Sequence, residues 1–138
     1  MNWLSDEEVR ATLEHGGITP TAQRVVIARE LFSRRAHLSA DEIFGLVNEG
    51  EGQVSKATVY NTLGLFAEKG LVREVIVDPS KTVYDPNVTP HHHFYNVVTG
   101  QLVDIDAAGM EVRGLPPIPE GTSIDGIEVI VRLKPSTA

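Results

Sequence analysis

No cysteine occurs anywhere in the 138 residues. Disulfides and thiolate metal sites are therefore excluded, and any transition metal must be held by nitrogen and oxygen. Positive charge is scarce as well: twelve Lys and Arg stand against nineteen Asp and Glu, a formal net charge of −7. Residues 1–85 alone carry nine basic against thirteen acidic side chains, which leaves −4. Affinity for DNA comes largely from neutralising phosphates. Binding to DNA would thus require the few cations to share one face and a bound metal cation to offset carboxylates. Long apolar runs are missing too. Nothing approaches the ~20 residues that span a bilayer, and the opening Met-Asn-Trp-Leu-Ser-Asp-Glu-Glu lacks the basic-then-apolar pattern of a secretory signal. A cytoplasmic protein with no membrane partner is the expectation. A chain of this length makes one or two small domains and is expected to draw part of its core from a partner subunit.

Local signals divide the chain into helices followed by strands. Ser5 ahead of Asp6, Glu7 and Glu8 marks a helix N-cap, and Val9 and Leu13 recur at helical spacing until Gly16-Gly17. A second helix is expected to begin near Pro20 with Thr19 as its cap, carrying Val25, Val26, Ala28, Leu31 and Phe32. Arg34 to Leu38 reads as a connector. Ser39 and Glu42 then form a Ser-x-x-Glu capping box for a third helix with Ile43, Leu46 and Val47 inward. Gly50 and Gly52 interrupt the chain. Ser55 caps a fourth helix, Lys56 to Lys69, with Val59, Leu63 and Phe66 on one face and Gly70 at its end. Leu71 to Val77 is rich in β-branched residues; Asp78-Pro79-Ser80-Lys81 turns it, and Thr82 to Asp85 returns.

Helices followed by one hairpin predict an N-terminal winged helix-turn-helix domain over 1–85. Residues 86–138 read as a small, mainly β second domain, so the fold class is α+β. Phe94 to Val98 and Gln101 to Ile105 are short strands around Thr99-Gly100, and Ile127 to Leu133 is a final strand. Between them Gly109, Gly114, Pro116, Pro117, Pro119 and Gly121 demand mostly loop. Three strands are marginal alone, so this half is expected to dimerise.

The most informative segment is Pro90-His91-His92-His93-Phe94-Tyr95. Strand alternation puts His91 and His93 on one face, close enough to chelate one ion, with His92 on the other. Asp85 precedes this run at the end of the hairpin, and Asp104 follows in the next strand. Two imidazoles with carboxylates and no thiolate suit Fe(II), Mn(II) or Zn(II). The competing explanation is a solvated surface histidine run.

Nearly the whole chain resembles the ferric-uptake-regulator (Fur) superfamily. The residues that carry the resemblance are Thr19-Pro20-Thr21-Ala22-Gln23-Arg24, His37 to Ile43, and Ser55 to Leu63. Leu65-Phe66, Gly70-Leu71-Val72, Tyr84-Asp85 and His91-x-His93 complete it. The resemblance implies a metal-dependent transcriptional repressor that binds double-stranded promoter DNA as a homodimer. It further implies that His37, Asp85, His91, His93 and Asp104 ligate a regulatory Fe(II) or Mn(II) between the domains, with Zn(II) a substitute in vitro. One ion tying both halves would set the spacing of two recognition helices in a dimer. The helix from Lys56 resembles the family's recognition helix. It implies that Lys56, Thr58, Tyr60 and Asn61 face DNA, and that Arg24 contacts the backbone. Since Val59 and Leu63 define the buried face, Tyr60 is expected to be exposed.

Departures from the family pattern narrow the choice of branch. Many members hold a structural zinc with two Cys-x-x-Cys pairs. The first pair aligns here with Asn96 and Thr99, and the second would fall beyond the last residue, so no four-cysteine zinc is expected. The family's long helix before the last strand is expected to be lost to the Pro/Gly-rich stretch, which leaves His92 without evident partners for a second metal site. Asp at 85 and 104, where iron-uptake sensors usually carry Glu, favours peroxide sensing. In the family's peroxide sensors a histidine ligand is oxidised, and His37 and His91 are the matching candidates. The alternative is an iron- or haem-responsive regulator, which the likeness of the C-terminal half to iron-response members supports. A His/Asp metalloenzyme is the distant alternative; it would need an open metal position and a general base, and would leave the recognition-helix match unexplained.

Overall fold

The computed structural model describes residues 2–49, 54–78, 80–89 and 91–136. Gly50 and Gly52, expected to interrupt the chain, Pro79 of the expected turn, and Pro90 at the head of the histidine segment lie outside them. The chain divides into two compact units, 1–88 and 89–138.

Unit one opens with α1 (Asp6–His15) and α2 (Ala22–Arg34), followed by β1 (Leu38–Ser39), α3 (Ala40–Val47) and α4 (Lys56–Glu68). A hairpin of β2 (Arg73–Asp78) and β3 (Lys81–Asp85) closes it. The three serine caps act as read. Ser5 with Glu8, and Ser39 with Glu42, form reciprocal capping boxes, and the Ser55 side chain accepts from the Thr58 amide. α1 and α4 stop the same way: Gly17 and Gly70 take φ of 77° and 76°. The amides of Ile18 and Leu71 then reach back to the carbonyls of Leu13 and Phe66, both at 2.9 Å.

Three local expectations shift. α2 begins at Ala22, not near Pro20, because the Thr21 hydroxyl rather than Thr19 caps it, accepting from the Arg24 amide. The Thr19 carbonyl is instead taken by the Arg24 guanidinium at 2.9 Å. α4 gives way one residue early, Lys69 being its C-cap. The expected connector contains a strand, as Arg35 turns the chain at φ 51° and Leu38 and Ser39 pair antiparallel with Tyr84 and Val83. The sheet order is therefore β1-β3-β2, a three-stranded wing. Beneath it Val9, Leu13, Ile27, Leu31, Ile43, Val59, Leu63 and Phe66 are all fully buried in one apolar core.

Unit two is a sheet of order β5-β4-β6. β4 (His91–Asn96) pairs antiparallel with β5 (Leu102–Asp106) and parallel with β6 (Ile130–Leu133). β4 starts earlier than Phe94 and ends at Asn96, where the Asn96 carboxamide accepts from the amides of Val98 and Thr99 and turns the chain. The final strand is shorter than the β-branched run suggests, since regular pairing with β4 starts only at His93 opposite Ile130. After one 3-10 turn at Ala107–Gly109, no helix forms among the described residues before β6, and residues 111–128 are exposed. The loss of the helix follows from the glycines and prolines there.

Candidate metal centre

In unit one the register of β1 on β3 does the positioning. Leu38 lies opposite Tyr84, so the next pair outward is His37 and Asp85. Their side chains meet, His37 Nε2 standing 2.9 Å from Asp85 Oδ2. The other carboxylate oxygen, Oδ1, accepts from the Asn87 amide at 2.9 Å, and Asp85 is 2 % exposed. A buried carboxylate so held keeps one oxygen aimed at the imidazole.

In unit two the antiparallel register sets His93 directly opposite Asp104. Alternation brings His91 to the same side, its ring 4.5 Å from that of His93 at a steep angle. The two Nε2 atoms converge on one oxygen, Asp104 Oδ1, at 3.5 Å from His91 and 3.3 Å from His93. One ligand atom from each of the three lies within 4.8 Å of the others.

The far side of each ring explains its orientation. His91 Nδ1 is 2.6 Å from the Thr89 carbonyl, which only an N–H can satisfy. His93 Nδ1 faces Glu128 Oε1 at 3.3 Å. With Nδ1 carrying the proton, a neutral imidazole turns a lone pair outward at Nε2. Two such lone pairs and a carboxylate oxygen directed at one point make a nitrogen–oxygen donor set for a divalent cation. The residues present therefore fit a metal of the nitrogen–oxygen class, and the carboxylate or carbonyl behind each histidine is the usual support for a ligating ring.

His92 points to the opposite face. Its Nδ1 accepts from the Val129 amide at 2.9 Å, tying the approach of β6 to β4. That nitrogen is structural. Glu128 is the participant that sequence reasoning missed: it lies in a β-branched run whose pairing to β4 is long-range, and nothing in its spacing to the histidines marks it. Asn96 and Thr99 form a hydrogen-bonded turn in which the Thr99 hydroxyl accepts from the Gln101 amide.

The α4 residues separate as the helical period requires. Val59, Thr62, Leu63 and Phe66 are buried, whereas Lys56, Tyr60 and Asn61 are exposed and Thr58 is half-buried. Tyr60 is 44 % exposed, so it is no core aromatic. Thr58 Oγ1 accepts from the Ser55 hydroxyl at 2.8 Å. Asp41, in the first turn of α3, receives both the Tyr60 hydroxyl and the Lys56 ammonium on Oδ1, each at 3.1 Å. Lys56 and Tyr60 in turn hold the Asp41 carboxyl below its ordinary value of 3.8, and the carboxylate raises Lys56 above 10.5.

A winged helix followed in the chain by a sheet that bears a His/His/Asp triad defines the class of protein. The profile of the Ferric uptake regulator family matches residues 15–125, and the chain belongs to that family. The peroxide-responsive repressor PerR of Staphylococcus aureus strain Mu50 is 37% identical over 98 residues, covering 71% of this chain and 66% of the relative. The protein of strain USA300 is 36% identical over the same length. This chain thus matches just under two thirds of the length of those relatives. Among solved structures, the ferric uptake regulator from Pseudomonas aeruginosa with manganese superposes at a TM-score of 0.70 and 24% identity, covering 93% of this chain and 98% of that one. PerR from Streptococcus pyogenes does so at 0.50 and 24%, covering 95% and 91%. These likenesses establish the fold.

Proposed function

We propose that this protein is a metal-dependent transcription repressor that binds promoter DNA as a homodimer and releases it when peroxide oxidises a metal ligand. The observation that carries the reading is the convergence of His91 Nε2 and His93 Nε2 on Asp104 Oδ1. Three donors leave a divalent ion short of its usual coordination, and His37 with Asp85 supplies two more of the same chemical kind. We take His37 and Asp85 to join the triad on one Fe(II) or Mn(II), as the family resemblance implies, so that occupancy of the ion would be the signal to the DNA-binding helix. α4 is that helix, with Lys56, Thr58, Tyr60 and Asn61 toward the major groove and Arg24 toward phosphate. Units one and two then act as the DNA-binding and the dimerisation domains.

Peroxide is favoured as the signal because both carboxylates, at 85 and 104, are Asp, and because the curated relatives named above are peroxide-responsive repressors. When bound, Fe(II) would activate the O–O bond of peroxide, with the two electrons of the net reaction coming from the ring. The chain supplies the target: an imidazole C–H becomes C–OH, the peroxide giving one oxygen and leaving as water. His37 and His91 are the candidates. A hydrolase reading is weaker, for the nearby acid Glu128 faces His93 Nδ1, the side of the ring away from Asp104.

Replacing His91 and His93 together by Ala is the direct test. Couplings between ligand sites are typically about 5- to 150-fold. The gain in DNA affinity on adding Mn(II), read by fluorescence anisotropy, should vanish in the variant while its circular dichroism stays unchanged. Full metal-stimulated binding in the variant overturns the proposal.

A further inference from the structure

Asp41 belongs to neither the metal ligands nor the candidate DNA contacts, yet it touches two of the latter. Its Oδ1 accepts from Tyr60 and Lys56 at 3.1 Å each. A phenol has one proton and two lone pairs, whereas an ionised carboxylate can only accept. The bond between them therefore has one direction: Tyr60 donates its only proton to Asp41. The phenol oxygen then keeps nothing but lone pairs for any further partner. Lys56 offsets the carboxylate's charge at the same oxygen, which permits a carboxylate to stand beside a helix that meets phosphates.

We infer that Asp41 is a specificity-determining positioning residue, which makes Tyr60 an obligate hydrogen-bond acceptor and so directs it to an amino-bearing base. In the major groove the amino donors are adenine N6 and cytosine N4; guanine N7 and O6 and thymine O4 only accept. A Tyr60 fixed in this way discriminates against a base edge that offers acceptors alone. Its ring remains available to a thymine methyl, a contact that needs no proton. The inference rests on the reading of α4 as the DNA-binding helix and adds to it the polarity of one contact.

The test is selection of binding duplexes from a randomised pool by Mn(II)-loaded protein, for the wild type and for Tyr60→Phe, Asp41→Ala and Asp41→Asn. The wild type should enrich adenine or cytosine at a position where Tyr60→Phe loses the preference by about fivefold, the low end for a base contact. Asp41→Ala should relax that same position, because the freed hydroxyl can now donate to guanine or thymine. Asp41→Asn retains a carbonyl that accepts from Tyr60 and should restore the preference. A merely structural loss would instead lower affinity across all sequences alike. If Tyr60→Phe changes a position that Asp41→Ala leaves untouched, or changes none, the inference fails while the repressor reading stands. If the wild type enriches no sequence, both fall.

Discussion

At the scale of single residues, the metal centre depends on groups behind its ligands. The Thr89 carbonyl and the Glu128 carboxylate each stand against an Nδ1, at 2.6 Å and 3.3 Å, and so direct Nε2 of His91 and His93 toward Asp104. His37 is held by a different partner, the Asp85 carboxylate at 2.9 Å. Oxidation at either candidate ring would weaken its bond to the ion without any thiol chemistry, which a chain lacking cysteine requires. Dilute peroxide added to the Fe(II) form should therefore add one oxygen in mass to the peptide containing His37 or His91. The Mn(II) form should be spared, since it does not readily sustain the reaction. Peptide mass spectrometry reads both. Unmodified histidines in Fe(II) protein that keeps its DNA, with haem or iron level alone altering binding, would transfer the signal to iron response.

At the scale of elements, α4 matters most, and its start is set by one side chain. Ser55 accepts from the Thr58 amide at 3.1 Å and donates to the Thr58 hydroxyl at 2.8 Å. Removing that cap frays the turn that begins with Lys56. Ser55→Ala should lower unfolding stability by about 1 kcal/mol, and Ser55→Asp, which retains an accepting oxygen, should recover most of it. Thermal denaturation followed by circular dichroism measures the difference. An unchanged midpoint in Ser55→Ala would mean that packing of Val59, Leu63 and Phe66 alone holds the first turn.

At the scale of the whole molecule, the two units differ in what holds them together. Unit one contains the apolar core. In unit two the buried side chains among the described residues are His91, His92, His93 and Tyr95, while Val112, Leu115, Ile118, Ile124 and Ile127 are exposed. In the proposed homodimer, association of two copies through this apolar surface would supply the burial that a three-stranded sheet needs. No cysteine is available for a zinc staple. A strong chelator should thus abolish metal-dependent DNA binding yet leave a dimer in analytical sedimentation. Monomers after chelation would assign the regulatory ion a second, structural duty.

The sequence by itself determined what short-range physics controls. Ser5, Ser39 and Ser55 specify helix starts through hydrogen bonds three residues long. Gly17 and Gly70 specify helix ends through a backbone conformation that other residues resist. Strand alternation sufficed to put His91 and His93 on one side and His92 on the other. At the start of α2 local reading chose Thr19, whereas the Thr21 hydroxyl accepts from the Arg24 amide and caps the helix. Tertiary structure decided the contacts between elements. The pairing of His37 with Asp85 depends on a two-residue strand, Leu38–Ser39, too short to leave a periodic signal; only family likeness marked His37 beforehand. Glu128 behind His93, and Asp41 against Tyr60 nineteen residues away, arise from strand register and helix packing. Such contacts are chosen by the burial of many side chains at once, and no local spacing encodes them.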